Sequence, residues 1–229
     1  MTLGIMQPYF MPYIGYWQLM AAVDKYVVYD DVNYIKGGWV SRNNILLNGE
    51  RHMFTITLNG ASPNKLFNEI TIRDDFRKFF RMLESAYKKA PYYQPTIDLL
   101  ERICNYPNRS LGEFMLHSFQ SVLGYWNIHT ELLLSSSISK DNTLHGKDKV
   151  KHICHILGAD TYYNAIGGQL LYDKPEFLQD GINLYFLQTN DIRYPQFNND
   201  FVANLSIIDV LMFNSPKQTQ QLLTQYTLR

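Results

Sequence analysis

A group of charged residues of both signs follows an apolar run at 25–29 (KYVVY). Asp30 and Asp31 come directly after this run, and Lys36 and Arg42 follow within a dozen residues. Carboxylates can move a proton, and neighbouring cations can hold a phosphate or carboxylate group. We predict that Asp31 acts as a base or orienting group and that Lys36 and Arg42 bind an anion. A surface salt-bridge network is the alternative.

A second group, rich in aromatic side chains, occupies residues 7–17 (QPYFMPYIGYW) after the apolar run 3–6. Two prolines fix the shape of this segment, and its glycine lets a ligand or another part of the chain approach closely. We expect Gln7, Tyr9 and Tyr13 to position a substrate. Core packing is an equally good explanation of the spacing alone.

The elements around these two groups form a strand, a loop, a helix and a second strand within some thirty residues. This order is typical of a βαβ unit in a parallel sheet. In open parallel sheets, ligands bind at the carboxyl ends of the strands. We therefore predict that the turns after the two strands converge on one substrate-binding pocket, to which Asp30, Trp39 and Asn43 also contribute.

The rest of the chain continues the α/β pattern. Residues 44–58 predict a hairpin around Asn48-Gly49, and residues 75–126 predict three helices separated by prolines. Residues 130–187 predict a β-α-β-α-β run, residues 201–213 a buried helix, and the last dozen residues an exposed helix or tail. The predicted fold class is α/β: a Rossmann-like parallel sheet flanked by helices, with a β-hairpin and a helical insertion at about 62–126, in one domain spanning 1–229.

Two further pairs are weaker candidates for substrate binding. Gly167 and Gly168 end a predicted strand, where backbone amides could receive phosphate oxygens, although a plain turn explains them as well. Ser206 and Asp209 lie on one face of a predicted apolar helix. A buried carboxylate needs partners, and we expect Lys36 or Arg42 to supply them.

Composition excludes several classes of function. Lys plus Arg and Asp plus Glu number 21 each, so no global basic field favours nucleic acid. No stretch reaches the roughly 20 apolar residues that cross a bilayer, and two cysteines fit a reduced, cytoplasmic protein. His152 and His155 lack companions at ligand spacing, so we predict no metal site.

The sequence resembles the WbqC-like protein family over nearly its full length. The resemblance rests on residues 7–16 (QPYFMPYIGY), 29–43 (YDDVNYIKGGWVSRN) and 205–209 (LSIID). Gly37 departs from the expected pattern, since a cation is common there in similar proteins, which weakens an anion-binding role for that position. The segment 13–16 (YIGY) is also distantly similar to the histidine-x-glycine-histidine signature of nucleotidylyltransferases, with tyrosines in place of both histidines.

The family resemblance implies a setting in surface-polysaccharide and O-antigen biosynthesis. It favours a transferase that moves an acyl or aminoacyl unit to an activated sugar or sugar nucleotide carrying a phosphate or carboxylate. One alternative is a non-catalytic binding or scaffold protein of a polysaccharide gene cluster, and another is a degenerate nucleotidylyltransferase that binds a nucleotide. The sequence leaves the donor, the acceptor, any cofactor and the oligomeric state open.

Overall fold

A six-stranded, mostly parallel sheet forms the centre of the computed structural model, which describes residues 1–198 and 200–229. In chain order the strands are β1 (Thr2–Met6), β2 (Lys25–Val28), β3 (Arg42–Leu47), β4 (Glu50–Thr55), β5 (Leu58–Asn59), β6 (Thr71–Ile72), β7 (Glu131–Leu134), β8 (Thr161–Ala165), β9 (Asn183–Thr189) and β10 (Tyr226–Leu228). The helices are α1 (Ile14–Ala21), α2 (Arg77–Tyr87), α3 (Tyr93–Cys104), α4 (Leu111–Tyr125), α5 (Gly146–Leu157), α6 (Lys174–Gln179), α7 (Ile207–Phe213) and α8 (Pro216–Leu223).

The strand order of the sheet is β10-β9-β8-β1-β2-β7. β9, β8, β1, β2 and β7 are parallel, and β10 pairs with β9 in the antiparallel direction. If the parallel strands are numbered in chain order, the order is 3-2-1-4-5, which is the Rossmann arrangement with an added edge strand. The predicted fold class is confirmed.

Helices cover both faces of the sheet because side chains on its strands alternate in direction. Leu3, Ile5 and Val27 pack with α5 and α6 on one face. Tyr26 and Val28 join α1, α4 and the rest of the larger hydrophobic cluster on the other. The sheet is therefore buried on both sides, and its polar residues gather at its edges.

The predicted hairpin and three helices are also present. β3 and β4 pair around Asn48 and Gly49, whose positive φ angles of 54° and 80° suit a tight hairpin turn. α2, α3 and α4 occupy the region predicted to be helical, and Pro95 lies in the first turn of α3, where it removes no helical hydrogen bond. α4 contacts β7, so the last helix of the insertion lies beside the strand that follows it.

The prediction of one helix over residues 201–213 is wrong, because the helix begins only at Ile207. Asn204 has a φ angle of +57°, which a continuous right-handed helix does not allow. Ser206 then caps α7: its hydroxyl accepts a hydrogen bond from the backbone N–H of Ile208 at 3.3 Å. The apolar run is buried throughout α7, but its first residues form a connecting loop.

The prediction of an exposed C-terminal helix or tail is only partly right: α8 is a helix with an exposed glutamine-rich face, but its other face is buried and a strand follows it. Leu222 and Leu223 of α8 are buried in the core, and β10 extends the sheet beside β9. The buried amide of Gln18 donates hydrogen bonds to the backbone oxygens of Leu222 and Gln225, both at 3.0 Å. The sequence did not indicate this burial, because a segment rich in glutamine and threonine is expected to be exposed to solvent. Among the described residues, no helix is long and apolar enough to cross a membrane.

Candidate functional site

The turns after β1 and β2 lie side by side at the same edge of the sheet. The two strands are parallel neighbours, with Met6 opposite Val28, and the N–H of Tyr29 donates to the oxygen of Met6 at 2.9 Å. β1 also pairs with β8 on its other side, so the strand order reverses at β1. This reversal is where open α/β sheets leave a crevice for a ligand.

Residues predicted to bind substrate gather at a neutral cavity beside the turn after β1. We call it the aromatic cavity: it has a volume of about 370 Å³ and is lined by Tyr9, Tyr13, Trp39, Asn43, Asn44 and Asn204, together with Pro12. None of these side chains carries a formal charge. The arrangement brings together side chains from the first loop, the segment after β2, the hairpin and the loop before α7.

Gly15 allows Tyr13 to lie at this cavity. A Cβ atom at Gly15 would come within 2.5 Å of the Tyr13 ring and 2.4 Å of the Thr189 hydroxyl. Tyr13 itself is 37% exposed at the start of α1. The close approach that the sequence predicted at this glycine is therefore made by two side chains.

The second tyrosine of the segment 13–16 is in the core. Tyr16 is 3% exposed, and its hydroxyl donates to the backbone oxygen of Gln7 at 2.7 Å. Burial raises its pKa well above the ordinary value. Because Tyr16 is not available to a ligand, the resemblance to the nucleotidylyltransferase signature does not extend to its function. Gln7 lies at the end of β1, with its side chain 3.5 Å from the Tyr9 hydroxyl.

Trp39 and Arg42 form a pair on the segment between β2 and β3. Trp39 is 48% exposed, and the Arg42 guanidinium lies 5.6 Å from the centroid of its ring. Arg42 also donates a hydrogen bond to the backbone oxygen of Gly37. Lys36 is exposed and lies outside the residues that line the aromatic cavity.

Asn43 and Ser206 hold the loop after β1 in place. The Asn43 amide and the Ser206 hydroxyl both donate to the backbone oxygen of Met11, at 2.8 Å and 2.7 Å. Met11 has a positive φ angle of 47°, so these bonds fix a loop in an uncommon conformation. Asn43 lines the aromatic cavity as well, whereas Ser206 is wholly buried beneath it.

A second, polar cavity of about 480 Å³ lies beside the turn after β2. We call it the polar cavity, and its lining includes Tyr29, Asp31, Asn68, Asn142, His145 and Lys149. The two turns thus meet at one edge of the sheet but line two cavities, whereas the sequence predicted one. The aromatic residues face the first cavity, and Asp31 faces the second.

The cations that pair with Asp31 are Lys140 and Lys149. Its Oδ2 atom lies 2.7 Å from the Lys140 Nζ and 3.1 Å from the Lys149 Nζ. Burial raises the pKa of Asp31, but the contacts with Lys140 and Lys149 lower it by more, so the pKa lies below its ordinary value. The carboxylate is therefore ionised at neutral pH.

Neither lysine was singled out from the sequence. In the sequence, Lys149 lies next to Val150, which belongs to the apolar stripe of the predicted helix. This position beside the stripe was the signal that could have identified Lys149, and the structure shows that both residues are buried. The Lys149 Nζ also donates to the backbone oxygen of Asp31, 118 residues away in the chain. Spacing along the sequence does not indicate so distant a pair.

Asp30 is directed toward α4 and the turn after β7. It is 1% exposed, and its carboxyl accepts hydrogen bonds from the Ser136 backbone N–H at 2.9 Å and from the Ser136 hydroxyl at 2.6 Å. A Cβ atom at Gly112 of α4 would lie 3.0 Å from its Oδ2. Burial raises its pKa, and the bonds from Ser136 oppose that rise. Asp30 thus ties β2 to α4 and to the turn after β7.

Asp209 has neutral partners. Its carboxyl accepts hydrogen bonds from the hydroxyls of Tyr87 and Tyr194, both at 2.7 Å, and from the Gln196 amide at 2.6 Å. The expected pairing with Lys36 or Arg42 is wrong, because α7 places Asp209 against α2 and the loop after β9. Complete burial raises its pKa, and the three hydrogen bonds lower it by less.

Gly167 and Gly168 follow β8 in a short 3-10 helix, Ile166–Leu170. A Cβ atom at Gly168 would lie 2.9 Å from the Cγ of Asn164, so the absence of a side chain there serves packing. Gly167 is exposed, with open space around it. Both lie at the carboxyl edge of the sheet but outside the lining of the two cavities.

The strand order and the two strand-end cavities define an open α/β protein of Rossmann-like topology. The chain belongs to the WbqC-like protein family, whose model matches residues 7–221. The match includes every residue named above as lining the two cavities. It confirms the family resemblance that the sequence motifs indicated.

The chain is 26% identical over 219 residues to the uncharacterized protein Rv1507c of Mycobacterium tuberculosis, and the match covers 92% of each chain. No solved structure matches this chain significantly.

Proposed function

We propose that the protein is a transferase that binds an activated sugar or sugar nucleotide and transfers an acyl or aminoacyl unit to it in surface-polysaccharide biosynthesis. The observation that carries the proposal is the aromatic cavity, which collects Tyr9, Tyr13 and Trp39 with asparagine amides at the carboxyl end of β1. The association of WbqC-like proteins with polysaccharide gene clusters supports the setting.

The chemistry of the aromatic cavity suits a sugar ring. The C–H faces of a sugar ring are apolar and pack on aromatic side chains, whereas its hydroxyls need partners that both donate and accept. The side-chain amides of Asn44 and Asn204 make no hydrogen bond within the described part of the chain, so they can serve a ligand. A cavity of about 370 Å³ is within the usual range for small-molecule sites.

In the proposed reaction, an amine or hydroxyl of the bound sugar attacks the carbonyl carbon of an activated acyl donor such as a thioester. The new C–N or C–O bond forms as the bond to the leaving group breaks, and the proton of the nucleophile passes to the leaving group. Gln7, Tyr9, Tyr13 and Asn43 position the sugar, and Arg42 supports the Trp39 ring. Asp31, with its lowered pKa, positions the two lysines.

The test is incubation of the purified protein with a panel of sugar nucleotides and acyl or aminoacyl donors, with products measured by mass spectrometry. Trp39→Ala should lower kcat/KM at least about tenfold, because a platform for the sugar is lost. The matched control is Ile35→Ala, an exposed apolar residue on the same segment that lies outside the lining of the aromatic cavity. It should stay within about twofold of the wild type.

Two results would contradict the transferase proposal. In one, the folded wild type neither turns over nor binds any member of the panel. In the other, Trp39→Ala remains as active as Ile35→Ala. A tenfold loss in the control as well would show a general effect of the segment and would remove the support that the aromatic cavity gives.

A non-catalytic binding protein of a polysaccharide gene cluster is the second candidate. The observation that favours it is the exposure of Leu170, Leu171 and Leu178, at 93%, 72% and 62%, since exposed apolar groups mark protein contacts. It predicts a stable complex with a cluster-encoded partner that survives Asp31→Asn. Gel filtration of the mixed proteins measures it.

A further inference from the structure

The polar cavity lies where β2, β7 and α5 meet. Asp31 follows β2, Ser136 follows β7, and His145, Gly146 and Lys149 come from the start of α5. The reaction described above uses Lys149 only as a partner of Asp31, and it gives the start of α5 no part. The reaction therefore does not explain the charges and hydrogen-bond donors of the polar cavity.

Buried charges of both signs lie beside the polar cavity. The side chains of Lys140, Lys149 and Asp31 are only 1%, 7% and 10% exposed, and the two ammonium groups share one carboxylate oxygen. A buried charge without a counter-charge is costly, because water is not there to solvate it. Asp30, which accepts its side-chain hydrogen bonds from Ser136, and Lys140 both lie outside the lining, so the cavity wall itself carries the opposite charges of Lys149 and Asp31.

The two lysines differ in their contacts. Lys140 is directed inward, and its Nζ contacts Asp31 and the backbone oxygens of Ser135 and Ile138. Lys149 lines the cavity, with its Nζ 3.1 Å from the backbone oxygen of Asp31 and 5.3 Å from the centroid of the Tyr29 ring. Lys140 thus contacts Asp31 from inside, whereas Lys149 pairs with the same carboxylate and also faces the cavity, where it can contact a ligand.

The first turn of α5 adds hydrogen-bond donors to the same cavity. The N-terminal N–H groups of a helix have no partner within the helix, and they attract anions. His145 precedes this 12-residue helix and makes no side-chain capping hydrogen bond within the described part of the chain. Asn68 and Asn142 bring amide groups to the wall of the cavity.

We propose that the polar cavity binds a phosphate or diphosphate group, with Lys149 as the charged contact and the first turn of α5 as the donor of backbone hydrogen bonds. Several donors around one cavity suit the three or more oxygens of a phosphate group better than the two oxygens of a carboxylate. The inference deepens the proposed function, because it names the site for the phosphate of the activated substrate.

The experiment is a calorimetric titration of the full-length protein with inorganic phosphate, pyrophosphate and UDP, with acetate as the carboxylate probe. Lys149→Met should weaken the binding of pyrophosphate at least about tenfold, whereas Lys149→Arg should retain it. The matched control is Lys147→Met, on the same turn of α5, whose ammonium pairs with Glu176 at 2.7 Å. It should bind within about twofold of the wild type.

A second variant tests the proposal independently if Lys149→Met does not fold. Asn142 is exposed, so Asn142→Asp should fold normally while placing a negative charge on the cavity wall. It should also weaken pyrophosphate binding, by repulsion. Circular dichroism of each variant checks the fold.

Three results would overturn the phosphate proposal. They are the lack of saturable binding by any phosphate probe up to about 10 mM, equal binding by Lys149→Met and Lys147→Met, and a preference for acetate. The transferase proposal fails separately. Phosphate binding without turnover would contradict only the reaction, whereas turnover by a folded Lys149→Met variant with normal pyrophosphate affinity would contradict only this site.

Discussion

Asp31 and Asp209 show how the partners of a buried carboxyl decide its chemistry. Both lie away from bulk solvent, yet the pKa of Asp31 is lowered and that of Asp209 is raised. Two ammonium groups stabilise the charge of Asp31, whereas neutral hydroxyl and amide donors only partly offset the burial of Asp209. The sequence placed Asp31 in a mixed-charge group and Asp209 on an otherwise apolar helix, and it paired Asp209 with cations that lie elsewhere.

Asp31 should stabilise the protein at neutral pH and lose this effect in acid. Because the folded pKa is below the unfolded value of 3.8, ionised Asp31 stabilises the fold above that pH and loses this effect as the pH falls through the folded pKa. Asp31→Asn should lower the free energy of unfolding at pH 7 by about 3–5 kcal/mol. Urea unfolding from pH 7 to 2.5 measures both effects.

The gap between wild type and Asp31→Asn should narrow as the pH falls below 3.8, since protonated Asp31 is neutral like asparagine. Asp75→Asn is the control, because Asp75 pairs with Arg77 at an exposed position and should change stability by less than about 1 kcal/mol. A gap that stays constant down to pH 2.5 would show that Asp31 is not stabilised by its charge.

At the scale of elements, the start of α1 depends on a glycine. Gly15 lets the Tyr13 ring and the Thr189 hydroxyl occupy the space of a Cβ atom, so the first loop, α1 and β9 approach closely. The sequence indicated a close approach here because glycine is costly inside a helix unless contact requires it. It did not indicate that the neighbours are side chains.

Gly15→Ala should destabilise the protein by about 1–3 kcal/mol, because the added methyl group overlaps its neighbours. Gly124→Ala is the matched control: Gly124 lies in α4, and a Cβ atom there meets nothing within 4 Å. It should stabilise the protein by about 0.5–1 kcal/mol. Thermal and urea unfolding of both variants measure the difference, and two changes of the same sign would refute the contact argument.

At the scale of the whole molecule, the helical insertion shares a hydrophobic core with the sheet. Trp17 of α1 and Trp126, which follows α4, pack with ring centroids 5.3 Å apart. Phe119 of α4 lies 5.6 Å from both Trp17 and Tyr16. We propose on this basis that residues 1–229 fold as one domain, as the sequence predicted.

One cooperative transition should therefore describe equilibrium unfolding of the full chain. Tryptophan fluorescence of a Trp39→Phe variant reports the contact between α1 and α4, because the two remaining tryptophans, Trp17 and Trp126, are both fully buried, and far-ultraviolet circular dichroism reports all helices. The two signals should coincide across a urea titration. Separate midpoints would mean that the insertion unfolds independently and would contradict the single domain.

The C-terminal segment shows where composition misleads. The glutamines and threonines of residues 216–227 favour solvent by type, yet Thr219 is wholly buried and β10 completes the sheet. Gln18 helps to hold the segment against the core, because its buried side-chain amide donates hydrogen bonds to two backbone oxygens of the segment. A short edge strand has weak periodicity, so only its partner strand identifies it.

The sequence by itself determined the α/β class, the βαβ unit at the start, the hairpin and the helices of the insertion, because hydrophobic periodicity and turn residues act over a few positions. The sequence also identified the aromatic residues of the loop after β1 as candidates for a binding site. The tertiary structure alone decided that the strand-end turns line two cavities and that Lys140 and Lys149 pair with Asp31. Those contacts join residues more than a hundred positions apart, and the order of the strands brings them together.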